Sequence, residues 1–158
     1  MELFLNRYLE NEISKIKEWI DDLATKNNTS ETVIYDGIAD VENYLSHKYK
    51  ILFLLKESYE TKGCYKWQVG KIYNQNNIRK FPTLKRVGYI IHGIRYNLSY
   101  ELIKKTNNLQ LANSIESIAW ININKIAAKS HSKRNLTNIY NIWKDIILYQ
   151  FNTYAPNI

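Results

Sequence analysis

The sequence predicts an α/β protein of three layers, with a short, mostly parallel sheet and helices on both faces. Two runs of continuous apolar residues, Ile51-Leu52-Phe53-Leu54-Leu55 and Ile118-Ala119-Trp120-Ile121, have the length of strands rather than helices. The stretches around them carry apolar residues in steps of three and four, the helical period. Helical and strand-like segments alternate along the chain, the order that builds parallel sheets. At 158 residues, 45% apolar and 23% charged, with neither repeat nor linker, residues 1–158 are expected to form one domain with its own core.

Leu9, Ile13, Ile16, Ile20 and Leu23 lie on one helical face, and Lys26-Asn27-Asn28-Thr29-Ser30 ends that helix with turn-forming residues. A short helix over 39–46 is expected to turn Val41, Tyr44 and Leu45 inward. The first strand, bracketed by Lys50 and Lys56, lacks polar alternation and is expected to be covered on both faces. From Glu57 to Phe81 the chain is polar, aromatic and irregular, and long connections of that kind are usually functional. Thr83 is expected to cap a helix that buries Leu84, Val87, Ile91 and Ile94.

A helix over 109–117 leads into the second strand, whose polar Asn122 and Asn124 fall at its end. Residues 127–134 make a small-residue, basic loop. A long helix over 136–154 then puts Leu136, Ile139, Trp143, Ile146, Ile147 and Gln150 on one side. Ala155-Pro156-Asn157-Ile158 reads as the start of a further strand. Two strands hardly make a sheet, so a third is expected either from the early region or after Ile158.

Cys64 is the only cysteine, which precludes an internal disulfide and suits a reducing compartment. The first residues lack the basic flank and apolar run of a secretory signal, and no apolar run approaches the roughly 18 residues that span a bilayer. The expectation is a soluble, cytoplasmic protein without a membrane partner. With 22 basic against 15 acidic residues the net charge is +7, which favours anionic partners, nucleic acid first. Thirteen tyrosines interleaved with these bases would suit base stacking.

Phosphate-loop, dinucleotide-turn, HExxH and GxSxG signatures are missing from the sequence, so no cofactor is expected. His47, His92 and His131 share no ligand spacing with one another or with Cys64, so no metal is expected. His92 reads as a packed histidine and Cys64 as a bystander.

Ligands of open α/β sheets bind beyond the carboxyl ends of the strands. Lys56-Glu57-Ser58-Tyr59-Glu60 follows the first strand, and Asn122-Ile123-Asn124-Lys125 closes the second, with Lys129, His131, Lys133 and Arg134 behind it. Together these segments resemble the uracil-DNA glycosylase superfamily. There the first core strand runs into a motif of the type G-Q-D-P-Y or G-E-x-P-G, where Phe53-Leu54-Leu55-Lys56-Glu57-Ser58-Tyr59 stands here. Glu57 matches the polar second position, and Asn122 with Lys125 matches the Asn-x-x-Lys that ends a later strand. The long helix that carries Gln150, followed by Ala155-Pro156-Asn157-Ile158, resembles the one before the third core strand. Lys56 replaces the motif's glycine, Tyr59 its proline, and the His-Pro-Ser-type motif would lie after Ile158.

The resemblance implies a divergent uracil-DNA glycosylase-like fold, truncated at its C-terminus, whose partner is DNA or another nucleic acid. It implies that Glu57 is the catalytic carboxylate and that Asn122 reads the edge of an extruded base. Tyr65 or Trp67 would stack on that base, Ser58 and Tyr59 would touch the substrate, and Lys125, Lys129, Lys133 and Arg134 would hold phosphates. The chemistry suits these residue types. Cleaving an N-glycosidic bond builds positive charge on the sugar, which a carboxylate stabilises, and an amide offers a base edge both donor and acceptor. The alternatives are a non-catalytic nucleic-acid-binding or interaction module of the same fold, and a nucleotide-handling enzyme of another α/β family.

Overall fold

The computed structural model describes residues 2–27, 32–58, 66–68, 78, 82–127 and 135–158. In chain order the elements are α1 (Glu2–Lys26), β1 (Val33–Tyr35), β2 (Gly37–Ile38), α2 (Val41–Ser46), β3 (Leu52–Leu55) and β4 (Lys66–Gln68). They continue with α3 (Pro82–Tyr96), α4 (Tyr100–Ile103), α5 (Asn108–Glu116), β5 (Ala119–Asn122) and α6 (Leu136–Tyr154).

This is a mixed α/β fold around a small three-stranded sheet of order β2-β5-β3. The two strands expected from their apolar runs pair in parallel, Leu52 opposite Ala119 and Leu55 opposite Asn122. The third strand comes from the early region: β2 runs antiparallel to β5, Gly37 opposite Trp120. β1 and β4 form a separate parallel pair, so residues 66–68 are a strand where an irregular connection was expected. The final residues run beside the other edge of β3. Leu52 N–H donates to Ile158 O (3.0 Å) and Ile158 N–H to Lys50 O (3.3 Å), the alternating pair of a parallel ladder.

Side chains alternate across a strand, and β5, buried along its whole length, feeds two apolar clusters in this way. Ala119 and Ile121 join Leu9, Ile16 and Ile20 of α1 and Ile139, Trp143, Ile146 and Ile147 of α6. Ile118 and Trp120 join Leu84, Val87 and Ile91 of α3 and Leu111 and Ile115 of α5. Trp120 also packs against Phe53, ring centroids 5.7 Å apart, and its indole N–H donates to Ile115 O (3.4 Å).

Several local expectations change. β3 is only half covered, with Leu54 56% exposed, because the two clusters centre on β5 rather than on its neighbour. Ile94 and Leu136, at the ends of their helical stripes, are exposed for the same reason: the stripe outruns its cover. α3 begins at Pro82, which puts Thr83 inside the first turn; a proline there forfeits no helical donor and already has a helical φ. α5 is capped by Asn107, whose side chain accepts from Gln110 N–H while Gln110 Oε1 accepts from Asn107 N–H, each at 2.9 Å. The short α4 had no periodic signal to announce it.

Gly37 has a φ of 135°, and a Cβ there would collide with the Tyr154 hydroxyl. Gly37→Ala is therefore expected to cost about 1–3 kcal/mol from backbone strain alone. Adding Tyr154→Phe should recover only the steric share, as read by urea denaturation of the single and double variants.

Candidate functional site at the strand ends

Beyond their last paired residues β3 and β5 stay together. Ile123 N–H donates to Leu55 O (2.8 Å) and Asn124 N–H to Lys56 O (3.0 Å), so the register continues past both strands. This carries Glu57 and Asn124 side by side. The Glu57 side chain is 3% exposed; its Oε2 accepts from Asn124 Nδ2 (3.2 Å). Its other oxygen, Oε1, is buried without a hydrogen-bond donor and has the Lys56 ammonium 3.7 Å away. Asn124 is itself anchored, because its Oδ1 accepts from Ile126 N–H (3.1 Å). An unsatisfied buried carboxylate oxygen is costly, and such atoms mark places where a ligand or water donor belongs. Ser58 follows, half-buried.

Asn122 and Lys125 turn inward instead. Lys125 has no exposed surface; its Nζ donates to Asp36 Oδ1 (2.7 Å), Asp36 Oδ2 (2.9 Å) and Gln150 Oε1 (2.7 Å). Those contacts use all three ammonium hydrogens. Asp36 also accepts from Gln150 Nε2 (2.9 Å) at Oδ1, and from the backbone and side-chain nitrogens of Asn122 at Oδ2. Burial holds the Lys125 ammonium below the usual lysine range, against the pull of the Asp36 carboxylate.

The expectation of a phosphate contact at Lys125 is thus corrected: an ammonium with no surface and no spare hydrogen cannot reach one. Asn122, expected to read a base edge, is buried and spends its amide nitrogen on Asp36. Asn124, two residues on, is the amide that stands beside Glu57.

The network draws on three parts of the chain. Asp36 lies between β1 and β2, Lys125 follows β5, and Gln150 comes from the inner stripe of α6. Next to it, Tyr44 donates its hydroxyl to Tyr154 O (3.0 Å), and burial pushes the Tyr44 phenol up to about 12. Asp36 carries no role in the sequence reading. Its signal was nonetheless there: one acid inside Val33-Ile34-Tyr35-Asp36-Gly37-Ile38, where an unpaired charge would be expensive. The backbone of Trp67 stands in β4 opposite Ile34, and its side chain lies outside the described residues. Tyr59, Tyr65, Lys129, Lys133 and Arg134 also lie outside them.

Two cavities open elsewhere. One of about 720 Å³ lies against α1 and is lined by Glu10, Asp40, Glu42 and Glu116 among others; burial, with Asp40 nearby, raises the Glu116 carboxyl. The second, of about 550 Å³, is lined by residues of α2, α3 and α5. Glu57 borders neither. Among the described residues no three His, Cys, Asp or Glu side chains group as a metal site, and no helix is long and apolar enough to cross a membrane. No family model matches the chain, and neither a curated protein nor a solved structure matches it.

Lys125→Met keeps the volume of the side chain and strands the Asp36 carboxylate. The expected loss is about 3–5 kcal/mol of stability by urea denaturation, the cost of breaking a buried pair from one side. Combining it with Asp36→Asn should cost less than the sum of the two single changes.

Proposed function

We propose that the protein binds nucleic acid and receives a nucleobase at the carboxyl ends of β3 and β5, as a divergent uracil-DNA glycosylase-like protein. The observation that carries this reading is the buried Oε1 of Glu57, which has no hydrogen-bond donor and only the Lys56 ammonium 3.7 Å away, while the Asn124 amide holds Oε2 at the strand ends. A carboxylate so placed can accept from a base N–H or orient a water toward the sugar carbon as the N-glycosidic bond lengthens. Asn124 fixes the carboxylate's orientation, and the net charge of +7 favours approach of a polyanion.

A binding module without turnover is the second reading. It is favoured by the commitment of Asn122 and Lys125 to Asp36, which removes two of the groups the resemblance assigns to substrate.

One assay separates the readings: release of uracil from a single-stranded oligonucleotide, with binding followed by fluorescence anisotropy. For an enzyme, Glu57→Gln should lower release by at least roughly a hundredfold, the usual share of a positioned acid or base, while binding changes little. For a module, the wild-type protein binds with an affinity that falls log-linearly with salt and releases nothing. Wild-type protein that neither binds nor cleaves would remove both readings.

A further inference from the structure

The cavity of about 550 Å³ lies at the amino-terminal side of the sheet, away from Glu57, and is lined by His47, His92, Arg95, Asn43, Ser114 and Ser117 among others. Ser117 stands two residues before β5, and His47 stands in the turn that leads to β3. Its size falls in the range of small-molecule sites.

Arg95 is the unusual member. It is half-buried, its Nη2 donates to Ser117 O (2.6 Å), and its Nε is buried with no acceptor. Among the described residues no carboxylate lies within ion-pair distance of this guanidinium, and the groups that act on its charge besides burial are the phenols of Tyr96 and Tyr44. A half-buried guanidinium of this kind bears the cost of lost hydration without an anion to offset it.

The two histidines define what the anion must bring. Ser114 Oγ donates its hydrogen to Gln110 O (2.7 Å), so at its 3.2 Å contact with His92 Nδ1 the ring nitrogen is the donor. His47 Nε2 lies 3.2 Å from Asn43 Oδ1, and Asn43 Nδ2 donates to Asn113 O (3.3 Å), so His47 Nε2 is a donor too. Burial lowers both imidazoles below the usual histidine value, with Arg95 and Lys50 adding to the effect at His47. In the neutral rings, His92 Nε2 and His47 Nδ1 are left as acceptors.

An ionised carboxylate only accepts hydrogen bonds, so it satisfies the guanidinium and meets these ring nitrogens unfavourably. A phosphate monoester has its second ionisation near neutrality, so it presents charged oxygens together with a proton that it can donate or pass to an imidazole. The geometry points to a phosphate-binding site in this cavity, with Arg95 as its cationic anchor and His47 and His92 as flanking partners. It stands apart from the reading at Glu57, which lies at the other end of the same strands.

The probe is inorganic phosphate, titrated into the full chain at neutral pH by calorimetry, with sodium chloride matched for ionic strength and succinate as the carboxylate control. Saturable phosphate binding is expected, weakened at least tenfold by Arg95→Gln and severalfold by His92→Gln. Should Arg95→Gln fail to fold, the wild-type histidine ring resonances carry the test: phosphate should shift those of His47 and His92 and raise their titration midpoints. Absence of saturable binding by wild-type protein at millimolar phosphate would overturn the site. So would undiminished binding by a folded Arg95→Gln, or equal binding of succinate.

Discussion

The structure turns on one buried ion pair. Asp36 and Lys125 have fully buried side chains, and every hydrogen of the ammonium has an acceptor. A pair like this adds little net stability, since the attraction mostly repays the hydration both charges lose, but leaving either partner alone is severe. Its value is positional. Asp36 joins the β1–β2 turn to the end of β5 through Asn122, and Gln150 ties the same carboxylate to α6. Apolar contacts between these elements would tolerate sliding; a carboxylate that accepts five hydrogen bonds does not.

The position so fixed is that of the candidate site. With the end of β5 anchored from below, the chain after it follows β3 closely enough for Asn124 to reach Glu57. One face of this strand end is therefore closed and fully satisfied, and the other ends in a carboxylate with one oxygen that has no hydrogen-bond donor. A similar contrast appears across the sheet, where Arg95 is short of an acceptor in the cavity among α2, α3 and α5.

How much of this was legible follows from the physics of each signal. The apolar runs at 51–55 and 118–121 gave two strands because continuous hydrophobicity over that length has few other uses, and their parallel pairing followed from the helices between them. The faces of α1 and α6 were equally readable from period, down to Gln150 on the inner side. A strand from the early region was an open alternative, but β1 and β2 could not be located because strands of two or three residues carry no periodicity, and the cover over β3 was overestimated because hydrophobicity does not say which strand is central.

At the candidate site, Glu57, Asn122 and Lys125 were all singled out by their place after a strand, and the last two turn inward to Asp36. Sequence shows that a polar residue ends a strand; it does not show whether the side chain turns outward or toward a charge that folding delivers from 86 or 89 positions earlier. Asp36 is that charge, and no local pattern links it to either partner.

Amide hydrogen exchange in the native state tests the anchoring most directly. Asn122 N–H donates to Asp36, Ile123 N–H to Leu55 O and Asn124 N–H to Lys56 O. If the buried carboxylate locks the end of β5, these three amides exchange only through global unfolding, with the same protection as the centre of the strand. Exchange of Asn122 N–H at the rate of an open loop, while Trp120 and Ile121 stay protected, would contradict it.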